Sequence, residues 1–167
     1  MTASYYITHL HLQPHPEGGF YKETYRSAEN IPQDALPKRF SGERSFCTTI
    51  YYLLREGDHS LFHRIKSDEC WHFYAGETLL IHVIEPNGNY YPVKLGGNIA
   101  AGETLQFVVP AAAWFAAEPA MGSTFSLTGC TVAPGFDFSD FEIADKNILL
   151  SAFPECKEVI TRLTRQE

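Results

Sequence analysis

Between residues 19 and 135 the chain is cut into short runs of β-branched and aromatic residues with turn residues between them, and this punctuation restricts the fold more than any other feature. Residues 20–26, 46–54, 60–66, 70–74, 79–85, 90–95, 104–109, 114–117 and 124–133 each read as a strand. Glu56-Gly57-Asp58, Pro86-Asn87-Gly88-Asn89, Gly96-Gly97-Asn98 and Pro134-Gly135 supply the turns. The 12 Phe, 9 Tyr and 2 Trp suit strands and an aromatic interior. Helices are expected only at the ends. Pro154 and Glu155 open a stretch to Gln166 that carries Val159, Ile160 and Leu163 on one face, an amphipathic helix for the flank. Many strands with terminal helices predict an all-β, double-sheet barrel. No repeat or linker divides the chain, so residues 1–167 read as one domain. Residues 27–42, with Pro32 and Pro37, read as a surface loop long enough to serve as a lid.

Charge and cysteine spacing exclude several functions. The net charge is -7 and the 13 Lys and Arg are scattered, which argues against nucleic acid or anionic membrane as a partner. No apolar run approaches the roughly 18 residues of a spanning helix. The first residues lack the basic start and apolar core of a signal peptide, so a cytoplasmic protein is expected. Cys47, Cys70, Cys130 and Cys156 form no C-x-x-C pair, so they read as four buried, reduced thiols rather than a zinc knuckle or redox pair.

The densest cluster of chemistry runs from His63 to Gly76. A strand delivers His63, the chain turns at Ser67-Asp68, and the next strand starts with Glu69. A second segment, from Gly102 to Phe115, carries Gln106, Pro110, Ala112 and Trp114. Together these resemble the two motifs of the cupin superfamily. Gly57, His63, Glu69 and Gly76 stand at positions of the first motif, with Ile65 where its second metal-binding His belongs. In the second motif Pro110 matches, Ala112 replaces a Gly, Phe115 stands where the third His belongs, and Gly102 comes two residues early. The likeness to one small family of cupins extends further, through Pro14-His15-Pro16-Glu17-Gly18-Gly19, Trp71-His72-Phe73-Tyr74 and the segment from Gly129 to Phe138. That family is similar in fold to sugar-nucleotide epimerases and plant storage proteins. The resemblance implies a double-stranded β-helix, the cupin jelly-roll barrel, with short helices at the termini.

The resemblance also implies a metal held by three His and one carboxylate, and this chain retains His63 and Glu69 of that set. Two ligands leave at most a weakly held divalent ion, so no cofactor is expected. His72 would serve as a replacement ligand only through a bulge, because with Glu69 inward Trp71 and Phe73 also face in while His72 and Tyr74 face out. Without metal, burial among aromatic side chains raises the Glu69 carboxyl, and His63 can share its proton, giving an acid/base pair. Tyr74 is the motif's candidate proton donor. The candidate catalytic residues are therefore His63, Glu69 and Tyr74.

Candidate ligand-binding residues are Trp71 and Trp114 by ring stacking, His72, Gln106 as part of a polar floor, Glu17, and Arg26 for a phosphate or carboxylate. His15 and Glu17 stand in a segment whose glycines shape a turn, from which either could reach a ligand. Plain core packing of the tryptophans, turn structure at Glu17 and a relict His63–Glu69 polar pair are the competing structural explanations. The expected function is binding of a small polar molecule, such as a sugar or nucleotide-sugar, with metal-independent epimerase- or isomerase-like chemistry. A non-catalytic binding or sensing module and a metal-dependent oxygenase or isomerase with altered ligands are the alternatives. A homodimer with residues 5–12 near the contact is expected, since outer faces of an aromatic-rich barrel need covering.

Overall fold

The computed structural model describes residues 1–165, so the end of the expected C-terminal helix at Gln166 lies outside the described residues. The strands are β1 (Gln13–Pro14), β2 (Phe20–Arg26), β3 (Asn30–Ile31), β4 (Arg44–Ser45), β5 (Thr48–Arg55), β6 (Ser60–Arg64), β7 (Asp68–Gly76), β8 (Leu79–Ile84), β9 (Tyr90–Leu95), β10 (Gln106–Val109), β11 (Trp114–Pro119), β12 (Phe125–Ala133) and β13 (Glu142–Ile143). The helices are α1 (Ala3–Leu10), α2 (Lys146–Ala152) and α3 (Lys157–Arg162). One sheet has the order β1-β2-β5-β12-β7-β10 and the second β13-β6-β11-β8-β9, while β3 and β4 pair with each other. Strand pairing within the sheets is antiparallel. Both sheets turn side chains into one core, where Tyr52, Trp71 and Val132 of the first meet Ile81, Val83 and Phe115 of the second. This is the expected all-β jelly roll.

The helices cover outer faces. Thr2 caps α1, accepting from Tyr5 N at 3.2 Å, and Tyr6, Ile7 and Leu10 pack over Leu53 and Leu127. At the other end the expected helix forms as α3 after a 3-10 turn at Pro154–Cys156, and a further helix, α2, precedes it. Pro154 disfavours helical backbone at Phe153, whose ψ of 65° breaks the path. The helix before it starts at the Asp145 cap, which accepts from Ile148 N at 2.9 Å. Val159, Ile160 and Leu163 then bury against Phe62 and Trp114. Strand β6 is thus covered on both faces: Phe62 lies under the helices and His63 points inward, both buried. Among the described residues no helix is long and apolar enough to cross a membrane.

Two expectations change. The 27–42 loop becomes part of the β3–β4 hairpin with a short 3-10 turn at Gln33–Ala35, and none of its residues lines the cavity described below. All four cysteines are free, but Cys47 and Cys70 are only partly buried.

Candidate functional site

A cavity of about 310 Å³ lies on the inner side of the six-stranded sheet. Strand alternation selects its lining: Tyr21 and Glu23 from β2, Thr48 and Ile50 from β5, Cys130 and Val132 from β12. Glu69 enters from the start of β7, His63 and Ile65 from β6 and its end, and Phe136, Phe138 and Phe141 from the turn after β12.

His15 and Glu17 complete the lining from the loop between β1 and β2. This loop straps one sheet to the other. Leu61 N of β6 donates to Glu17 O at 3.1 Å, and Tyr52 OH donates to Gly18 O at 2.8 Å. Gly18 and Gly19 have φ of 113° and 71°, and a Cβ at either would collide with backbone, His59 O for Gly18 and Leu53 O for Gly19. The glycines therefore let the loop descend close enough to bury Glu17, which is 7% exposed.

The site concentrates titratable groups in an apolar enclosure. Burial lifts the Glu69 carboxyl to about 7, with a hydrogen bond from the Cys130 thiol opposing it. Burial also raises Glu17 well above the ordinary carboxylate range, and the neighbouring Glu69 charge adds to the rise. Burial lowers His63 to about 3 and His15 to about 4, so both are neutral imidazoles at neutral pH. His63 Nδ1 lies 2.7 Å from Leu61 O and 3.1 Å from Glu17 Oε2; His15 Nδ1 lies 3.5 Å from Glu17 Oε1. These distances suit ion pairs, yet desolvation drives both partners toward their neutral forms, and neutrality is the better description because these side chains are at most 10% exposed. Donation of Nδ1–H to Leu61 O assigns the His63 tautomer and leaves Nε2 with the lone pair.

The sequence-derived candidates divide between the two faces of the sheet. His63, Glu69, Glu17 and Arg26 reach the cavity. Arg26 is already committed, donating to Glu23 at 3.0 and 2.7 Å and to Phe136 O at 3.0 Å. Trp71 points inward but lies in the core, edge-on to Tyr52 and Phe115, rather than in the lining. Tyr74, 52% exposed, is on the outer face, so it cannot pass a proton into the cavity. His72 shares that face and contacts Thr131 Oγ1 at 3.2 Å. Gln106 was expected inside and is exposed: the β10 register sets it opposite His72, whose Nδ1 is 2.8 Å from its Nε2, and turns Phe107 and Val109 inward instead. Trp114 also faces away from the cavity, packing under the C-terminal helices with the Arg64 guanidinium 4.4 Å from its ring.

Cavity-lining residues that the sequence did not single out are Cys130, Tyr21 and the three phenylalanines after β12. A signal existed for most of them, since Cys130, Phe136 and Phe138 lie in the segment from Gly129 to Phe138 that carries the family likeness.

The model of a family described as Cupin superfamily (DUF985) matches residues 4–144. The chain is a member of this cupin family. An uncharacterized protein of Saccharomyces cerevisiae is 31% identical, over 80% of this chain and 71% of its own length. Among solved structures, a hypothetical protein from Leishmania major has a TM-score of 0.89 and 36% identity, covering 99% of this chain and all of its own. A Shewanella oneidensis protein has a TM-score of 0.89 and 40% identity, covering 100% of this chain and 99% of its own. Oxalate decarboxylase from Bacillus subtilis aligns at a TM-score of 0.55 and 14% identity, over 92% of this chain and 37% of that one, which shows the shared fold alone.

The residues of this cupin do not fit the metal set that the superfamily motif implies. Ile65 and Phe115, in two ligand positions, are buried apolar side chains, and the Phe115 ring packs 4.0 Å from that of His63. Among the described residues no three His, Cys, Asp or Glu side chains are grouped to hold an ion. The second motif also leaves a trace in the backbone: Ala112, where that motif has Gly, keeps a φ of 66°.

Proposed function

We propose that this cupin binds a small polar molecule in the cavity between its sheets and transfers a proton within it, as an epimerase or isomerase does. The supporting observation is that two buried carboxyls, Glu69 and Glu17, share with an uncharged His63 a cavity walled in part by Ile50, Ile65, Val132 and three phenylalanines. Removing a proton from carbon beside a carbonyl needs one group that accepts near neutral pH and another that donates. Glu69, held at about 7, is the acceptor. Glu17, kept protonated by burial, is the donor and takes the role first assigned to Tyr74. The C–H proton passes to Glu69, the electron pair moves into the carbonyl, and the Glu17 proton returns to the opposite face of that carbon. His63 Nε2 accepts a hydrogen bond from a ligand hydroxyl.

The test begins with a thermal-shift screen of sugars, hydroxy acids and amines. A stabilising compound is then incubated with the protein in heavy water and followed by NMR. Deuterium should enter at the carbon beside the carbonyl with wild type and not with Glu69→Gln. Binding that depends on Glu69 without any deuterium uptake would reduce the protein to a binding module. Binding indifferent to Glu69→Gln, with both proteins folded, would remove the cavity from consideration.

A further inference from the structure

The charge of the cavity narrows its ligand more than its shape does. Among the described residues its lining contains three carboxylic side chains, Glu17, Glu23 and Glu69, and a single Lys or Arg, Arg26. That guanidinium stands at the mouth with both carboxylate oxygens of Glu23 and a backbone carbonyl already on it. An anionic ligand would thus meet buried carboxyls and no unengaged cation.

Glu17 supplies an independent pointer. Its Oε2 is fully enclosed by protein and has no donor in good geometry: His63 Nδ1, 3.1 Å away, gives its hydrogen to Leu61 O, Tyr52 OH gives its own to Gly18 O, and the neighbouring buried Ser60 hydroxyl is likewise unpartnered. A buried acceptor left empty is costly unless something fills it. The rest of the wall suits a cation on carbon. Phe136, Phe138 and Phe141 meet edge to face with centroids 5.1 to 6.2 Å apart, and Phe141 reaches down to within 5.3 Å of the His63 ring. Aromatic faces attract organic cations, which are more weakly hydrated than metal ions and lose less on entering.

We propose that the cavity takes a small organic ammonium ion, its nitrogen paired with Glu17 and Glu69 and its carbon body against Phe136, Phe138 and Phe141. The assignment rests on the cavity being the ligand site and specifies the chemical class that site accepts. A positive charge beside Glu69 favours its ionised form, while Glu17 keeps its proton and accepts the ammonium hydrogen bond at Oε2, so binding expels a proton and strengthens as pH rises while the amine stays charged.

The experiment uses three probes of one shape: benzylammonium, benzyl alcohol and benzoate. Calorimetric titration of the full chain in two buffers of different ionisation enthalpy reads affinity and proton release together. Benzylammonium should bind at least about tenfold more tightly than benzyl alcohol. It should release protons, and bind more tightly at about pH 8 than at about pH 6. Benzoate should not bind. Glu69→Gln, near-isosteric, should abolish the preference for the amine, and Glu17→Leu, which removes the acceptor, should weaken it, while circular dichroism shows an unchanged fold. Equal or tighter binding of the alcohol, any binding of benzoate, or manganese or zinc binding with none of benzylammonium would overturn the assignment. If the alcohol won and its affinity still depended on Glu69, only the ligand class would be wrong. If Glu69→Gln left every affinity unchanged, the cavity reading itself would fail.

Discussion

The Nδ1 of His63 stands 3.1 Å from Oε2 of Glu17, an ion-pair distance, yet it points its hydrogen at Leu61 O, 2.7 Å away. The two side chains come from different sheets, Glu17 from the loop before β2 of the first and His63 from β6 of the second, and both are buried. Their contact is therefore governed by desolvation, which neutralises the acid by raising it and the base by lowering it.

Stability should respond to pH from both sides of that balance. Between 4.5 and about 7 the folded chain holds more proton on Glu69 than the unfolded chain does, so this contribution is present below 4.5 and is lost as pH rises. Glu17 acts in the same direction. His15 and His63, at about 4 and about 3 against an ordinary 6.5, act oppositely, and their contribution is lost as pH falls below 6.5. The cavity's contribution should be greatest between about 4.5 and 6.5. Urea unfolding of wild type and Glu69→Gln across this range should diverge by about 3 kcal/mol between acid and neutral pH, with wild type losing ground as pH rises. Parallel profiles would contradict the burial of an ionisable Glu69.

The outer face should be silent toward the cavity. Gln106→Ala, His72→Ala and Tyr74→Phe alter side chains on the far side of the sheet. Each should leave the affinity of a cavity ligand within about twofold of wild type and change stability by roughly 0.5 kcal/mol or less. A tenfold loss of affinity in any of them would mean that the sheet transmits or shares the site.

Ala112 holds a left-handed backbone, φ 66°, while its N–H donates to Ile65 O at 2.9 Å. A Cβ in that conformation costs about 1–2 kcal/mol, part of which glycine returns through its freer unfolded chain. Ala112→Gly should raise stability by roughly 0.5–1 kcal/mol, seen as a higher urea midpoint with the same slope. A lower midpoint would show that the turn is set by packing of the methyl group.

Arg44 and Asp140 form a buried two-pronged pair, 2.6 Å at each oxygen, that ties the turn carrying Phe138 to β4. Lys66 Nζ lies 3.2 Å from the same carboxylate. Asp140→Ala would strand the Arg44 charge and should cost about 3–5 kcal/mol. Thermal unfolding checks this, and a loss below about 1 kcal/mol would place the pair effectively in solvent.

The sequence alone determined the nine longer strands of the jelly roll, because each is a run rich in β-branched and aromatic residues, while the two-residue strands β1, β3, β4 and β13 carried no such mark. β2 and β9 fall on the expected boundaries, and most of the others differ by one or two residues. Alternation further put Glu69 and Trp71 on one side of β7 and His72 and Tyr74 on the other, since neighbouring side chains in a strand must oppose. Gln106 defeated the same logic. It stands among apolar residues on both sides, and only its pairing opposite His72, set by the β7–β10 register, fixes which way it faces. Trp114 likewise carried no mark of direction, because helices cover the outside of its sheet and both faces are apolar. The union of Glu17, Glu69, His63 and Cys130 was a tertiary decision. Glu17 lies 46 residues before His63 and 113 before Cys130, and no local pattern brings them together. What does so is a loop whose glycines tolerate close backbone contact, strapped from one sheet to the other by a single hydrogen bond between Glu17 and Leu61.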